Sequence, residues 1–205
     1  NSWGSRVPST APFMEDIIAA WDAAGIWSQW SNGNSGPSCS SSGSPGSRTI
    51  TYSAGAFDQA GAIGDFSARG PGQDGETKPN IAAPGVTVRS SLPGGGYGTG
   101  SGTSMASPHV AGAVALAWSA APSLERDINA TRALLDETAV DTSDLTCGGT
   151  AEDNNVWGEG KLDAFALYQS SPRGDVGHVA GTVSDGGSPV SGATVEVAGP
   201  TPRSV

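Results

Sequence analysis

Phe13, Met14, Ile17, Ile18 and Trp21 recur at helical spacing, and Gly25 follows as a stop, which predicts a helix over residues 12–25. Residues 32–47 are rich in Ser, Gly and Pro and read as a loop that contains Cys39. Short β-like runs follow over 49–57 and 80–89. A glycine-dense loop is expected over 93–102. Residues 105–120 are apolar almost all round, which predicts a deeply buried helix. Two more helices are expected, over 124–138 with Leu134 and Leu135 turned inward, and over 161–168.

The pattern changes near Gln169. Residues 171–177 read as a linker. From 178 onward, apolar residues alternate with small or polar ones around Gly186 and Gly187, with Pro189 just beyond. This predicts a β-hairpin opening an all-β module. Two strands alone are marginally stable, so the module is expected to be truncated. The first residue is Asn1, no leader-like segment follows it, and Val205 falls inside a strand-like pattern. The reading is an internal piece of a longer protein.

Composition narrows the function classes. The 31 glycines and 14 prolines among 205 residues imply many turns, and charged residues at 15% fall well below the usual share of about 25%. A coiled coil is excluded. The net charge of −10, without a Lys/Arg cluster, argues against nucleic acid as a partner. The longest apolar run, near residues 110–118, is too short to cross a bilayer.

The chemistry concentrates in Gly102-Thr103-Ser104-Met105-Ala106-Ser107-Pro108-His109-Val110-Ala111-Gly112. Glycines let a substrate backbone approach, and a helix start offers free N–H groups and a dipole that favours negative charge. A serine there can attack a carbonyl while its own N–H steadies the oxyanion. From spacing alone, a plain N-cap role for Ser104 is equally open.

The string resembles the nucleophile motif of subtilisin-like serine proteases, the subtilases. Further segments resemble that family in its order: Asn1-Ser2-Trp3-Gly4, Asn32-Gly33-Asn34-Ser35-Gly36-Pro37, Asp65-Phe66-Ser67-Ala68-Arg69-Gly70-Pro71, Lys78-Pro79-Asn80-Ile81-Ala82-Ala83-Pro84-Gly85 and Trp157-Gly158-Glu159-Gly160-Lys161-Leu162-Asp163-Ala164. The resemblance implies an α/β, three-layer fold with a mostly parallel sheet. It makes residues 1–170 the C-terminal part of a serine endopeptidase domain. It implies Ser104 as nucleophile and Asn34 as side-chain oxyanion donor. Ser2, Trp3 and Gly4 would line a cleft opposite Asn32 and Gly33, gripping a polypeptide substrate as an added strand. The family's Asp and His precede its Ser, so both are expected upstream of residue 1, and the 205-residue chain alone is expected to be inactive. His109 is then a structural helix residue, and His178 an exposed strand residue.

The family is mostly secreted, which favours a Cys39–Cys147 bridge worth up to about 4–5 kcal/mol in the chain-entropy account. It also implies an extracellular or cell-envelope location, of bacterial origin given only Lys78 and Lys161 as lysines. A monomer is expected. Subtilases often bind calcium, but Asp141, Asp144, Glu152 and Asp153 show no recognisable ligand spacing. No metal ligand and no cofactor are therefore assigned. The tail after Gly177 resembles the start of an Ig-like module of carboxypeptidase regulatory domains. Residues 26–31, with two tryptophans and a glutamine, are unlike the aliphatic run of a central parallel strand. Two other readings stand beside the protease. One is an esterase using Ser104, Asp163 and His178. The other is a non-catalytic peptide-binding protein with a decayed triad.

Overall fold

The computed structural model describes residues 1–173, 184–190, 196–197 and 203–204. The chain divides into two units, Asn1–Arg173 and Gly174–Val205.

In the first unit, three short strands form a parallel sheet in sequence order: β1 (Gln29–Ser31), β2 (Tyr52–Phe57) and β3 (Ile81–Pro84). Tyr52, Ala54 and Ala56 of β2 and Ile81 and Ala83 of β3 share one face. There they meet Ala106, Val110, Ala113, Val114 and Ala117 of the long helix α2 (Thr103–Ala120). Alanines on both surfaces let helix and sheet approach closely, and Leu135 and Leu167 close the core from α3 (Ile128–Thr138) and α4 (Ala164–Ser170). Both of these helices start on an aspartate cap: Asp127 accepts from Ala130 N–H, and Asp163 from Phe165 and Ala166 N–H.

Trp30 pairs with Ser53, so it lies on the face opposite Tyr52. It stacks there on Trp21 of α1 (Glu15–Ala23), which makes α1 the third layer. The awkward composition of β1 has a local answer. Trp30 is fully buried and donates to Ser28 Oγ, while Gln29 Nε2 donates to the carbonyls of Trp30 and Tyr52. On the free edge of β1, the Asn1 amino group donates to Gln29 O and Ser31 N–H donates to Asn1 O. The sheet order thus continues into the segment that begins at Asn1.

Several expectations need correction. The loop foreseen over 93–102 is half of a hairpin, with β4 (Val88–Leu92) pairing antiparallel to β5 (Gly96–Gly100). Gly94 and Gly95 take positive φ at its tip. Helix α2 is buried on one face only; Pro108, His109, Gly112 and Leu116 on the other are exposed. Phe13 and Ile17 are exposed too, and Ile18 is the one residue of α1 that is buried. The loop over 32–47 forms as expected and packs inward, with Ser41, Ser42, Ser44 and Ser47 buried. In the second unit, Ser184–Asp185 pairs antiparallel with Ser188–Pro189 around Gly186 and Gly187, and most of the strand-like residues expected on either side lie outside the described residues. His178 lies outside the described residues.

Cys39 and Cys147 form a disulfide across 108 residues, tying the loop after β1 to the segment after α3. Reduction, or the pair Cys39→Ser and Cys147→Ser, is expected to lower unfolding free energy by up to about 4–5 kcal/mol. Denaturant midpoints that coincide with and without reductant would show that the bridge constrains nothing.

Glu159 has its carboxyl pushed up to about 7, first by burial and then by Asp153, Asp136 and Asp141. Asp136, which accepts from the Tyr52 hydroxyl at 2.6 Å, is also raised by burial. Between the ordinary glutamate value of 4.5 and about 7 the folded chain binds more protons at Glu159 than the unfolded chain does. This contribution to stability is therefore present at low pH and lost as pH rises through about 7. Melting curves at several pH values should show Glu159→Gln gaining on the parent as pH rises through that window. Parallel curves would refute it.

Candidate active site

Ser104 is the second residue of α2, just past Gly102, whose N–H donates to Gly85 O at 2.8 Å. Gly85 follows β3 directly. A Cβ there would come within 2.5 Å of Ala56 Cβ and 2.9 Å of Gly102 O, so only glycine lets the two segments pass. The C-terminal end of the sheet thereby sets the start of α2.

Asn34 arrives from the end of β1 through Gly33, at φ 109°, a left-handed conformation that favours glycine. Gly33 N–H donates to Thr103 Oγ1 at 3.2 Å. The Thr103 hydroxyl and N–H both reach Asn34 Oδ1, at 3.0 and 2.9 Å. A backbone N–H can only donate, so the oxygen side of the amide faces Thr103 and Nδ2 is turned away. Asn34 Nδ2 has no partner among the described residues. Ser104 Oγ donates to Ser2 O at 3.1 Å, and Ser2 Oγ donates to Ser104 O at 2.8 Å.

These groups line one cleft of about 430 Å³, with Ser2, Trp3 and Gly4 on one side and Gly33, Asn34 and Ser104 on the other. A second hollow of about 380 Å³ adjoins it between Trp3 and Phe13. Trp3 is 45% exposed and sets its edge against Trp30 and Phe13, so it serves packing and cleft together.

Asn32 is not brought to the cleft. It is fully buried, with Nδ2 donating to Ala68 O and Oδ1 accepting from Ser53 Oγ. The carbonyl of Gly33 accepts from Ala68 N–H, and its N–H is used by Thr103. Both sides were expected to offer main-chain hydrogen bonds. Of the two, the Gly33 side has its groups committed, and the main-chain groups of Trp3 and Gly4 have no partner among the described residues. Sequence reading also passed over Thr103, although it sits inside the motif that carries Ser104.

Among the described residues, no base stands beside Ser104. His109 is exposed on the outer face of α2, with Nδ1 2.8 Å from Met105 O. Among the described residues no three or more His, Cys, Asp or Glu come together as a metal site. No described helix is long and apolar enough to cross a membrane.

Comparison with known proteins agrees with this fold. Residues 1–161 match the Peptidase_S8 profile, described as the subtilase family. The chain is 36% identical over 191 residues to bacillopeptidase F of Bacillus subtilis (strain 168), covering 90% of the chain but 13% of that protein. It is 40% identical over 123 residues to a subtilisin of Bacillus pumilus, covering 59% of the chain and 42% of the relative. The chain thus spans less than half of either relative. Among solved structures, the prenylagaramide maturation protease PagA superposes with a TM-score of 0.66 at 26% identity, covering 83% of this chain and 60% of that one. With its parallel sheet, its serine at the start of α2 and a family match over most of its length, the chain belongs to the subtilase family of serine proteases.

Proposed function

We propose that the protein containing this chain is an endopeptidase that hydrolyses peptide bonds through an acyl-enzyme on Ser104. The observation that carries the reading is the fixed orientation of Asn34. Its Nδ2 is turned away from Thr103 and free to donate in the cleft that holds Ser104. Ser104 Oγ attacks the substrate carbonyl, and the developing oxyanion takes hydrogen bonds from Asn34 Nδ2 and Ser104 N–H. The Ser104 proton passes to a histidine oriented by an aspartate. In this reading both come from outside these residues, as the family's Asp, His, Ser order implies, and His109 faces away on the exposed side of α2. The substrate backbone pairs along Trp3 and Gly4, which favours broad sequence tolerance. An extracellular setting fits the Cys39–Cys147 bridge. Residues 178–205 are read as the opening of an Ig-like module.

The test compares the full-length protein with its Ser104→Ala and Asn34→Ala variants on a fluorogenic peptide. Ser104→Ala should reduce hydrolysis to background and abolish labelling by a fluorophosphonate. Asn34→Ala should lower kcat by about 10²–10³ with little change in KM, the loss known for one oxyanion donor in a subtilisin. The 205-residue chain alone should not hydrolyse the peptide. Undiminished turnover in Ser104→Ala would overturn the assignment.

A further inference from the structure

The cleft around Ser104 is lined by serines, glycines, Thr103, Asn34 and Trp3, and by one charged side chain, Arg6. Arg6 belongs to the same extended segment as Trp3 and Gly4. Its carbonyl accepts from Ser35 Oγ at 3.2 Å, so its main chain is tied to the residue that follows Asn34. Its neighbour Ser5 is fixed by N–H donation to Ser44 O at 2.7 Å. The Arg6 backbone thus continues the Trp3–Gly4 side of the cleft and is bonded across to the residue after Asn34.

Its charge is not spent on the protein. Arg48 and Arg132 pair with Glu15 and Asp22, and Lys78 with Glu76, whereas no ion pair among the described residues uses the exposed Arg6. The chain has twice as many acidic as basic residues, 20 against 10, so an unpaired cation in the lining of the cleft that holds Ser104 stands out. A guanidinium presents a planar fork of donors that matches a carboxylate. The rest of the lining offers no competing anion and no deep apolar surface apart from Trp3.

We propose that Arg6 selects substrates with an aspartate or glutamate at the residue that contributes the attacked carbonyl. This rests on acyl transfer at Ser104. It adds a charge preference at one position to a cleft that otherwise grips the main chain.

The test uses the full-length enzyme and peptides identical except for Glu, Gln, Lys or Leu at that residue, with kcat/KM measured at low and high ionic strength. Glu should exceed Gln by about fivefold at low salt, the upper range for one exposed ion pair. The advantage should shrink at high salt. The Glu/Gln ratio should fall to about one in Arg6→Gln and persist in Arg6→Lys, and in Arg6→Glu the Lys peptide should be cleaved in preference to the Glu peptide. Because each ratio is taken within one variant, a partial folding defect cancels. A wild-type ratio of one, or a ratio unmoved by Arg6→Gln, overturns the role of Arg6 and leaves hydrolysis at Ser104 intact. Cleavage of none of the peptides overturns the acyl-transfer reading, and the proposal with it.

Discussion

The site depends on which way the Asn34 amide is turned, and Thr103 decides it. Gly33 N–H must donate, so the Thr103 hydroxyl accepts from it and sends its own proton to Asn34 Oδ1. Thr103 N–H reinforces the same oxygen. The chain of bonds runs in one direction, and Thr103 is fully buried, where such a network is stronger than in water and costly to break. One side chain thereby locks the loop after β1 to the first turn of α2. It also keeps a donor in place before any substrate arrives, which is what electrostatic stabilisation of a transition state requires.

That lock works only because the sheet delivers both partners to the same end. β1 and β3 run parallel on either side of β2, so their C-terminal ends lie together. The first leads through Gly33 to Asn34, and the second through Gly85 to Gly102 and Ser104. Sites at the carboxyl ends of parallel strands are the general rule for such sheets. Here it is enforced by small residues. Alanines on β2, β3 and α2 set a short helix-to-sheet distance, and Gly85 allows the crossing that follows. The buried serines of the loop before β2 serve the same end. Gly43 N–H donates to Asn32 O, and the 42–44 stretch accepts from Ser5 and Ser9, so the Ser2–Gly4 segment is anchored through its continuation.

Much of this was legible in the sequence where side chains carry the signal. Helix α2, the nucleophile motif and the Gly-Asn loop announce themselves by apolar run and residue order. The hairpin β4–β5 did not, because Gly96, Gly98 and Gly100 give an alternating strand no hydrophobic beat; its pairing is carried by the backbone. The half-exposure of α2 was hidden for the opposite reason, since a sequence of small apolar residues cannot say which face meets the sheet. Asn32 misled because a buried amide satisfied by Ala68 and Ser53 looks, in sequence, like a polar residue at a binding loop. Thr103 was overlooked because its role is relational. It matters through two residues about 70 positions away, and no local pattern encodes that.

The division of labour inside the site follows from the chemistry of its donors. Ser104 Oγ now gives its proton to Ser2 O, a carbonyl too weakly basic to remove it, so the hydroxyl stays a hydroxyl until a stronger acceptor is present. In the proposed mechanism the oxyanion donors need no such partner. Ser104 N–H comes with the first turn of α2, and Asn34 Nδ2 is oriented by bonds contained in residues 33–34 and 103. On that reading, binding and charge stabilisation are preorganised independently of proton transfer. In serine proteases these two contributions persist after a triad member is removed and still leave roughly 10³–10⁴-fold over water. In the proposed mechanism these donors are the groups that must be rigid, and a parallel sheet capped by a close-packed helix supplies that rigidity.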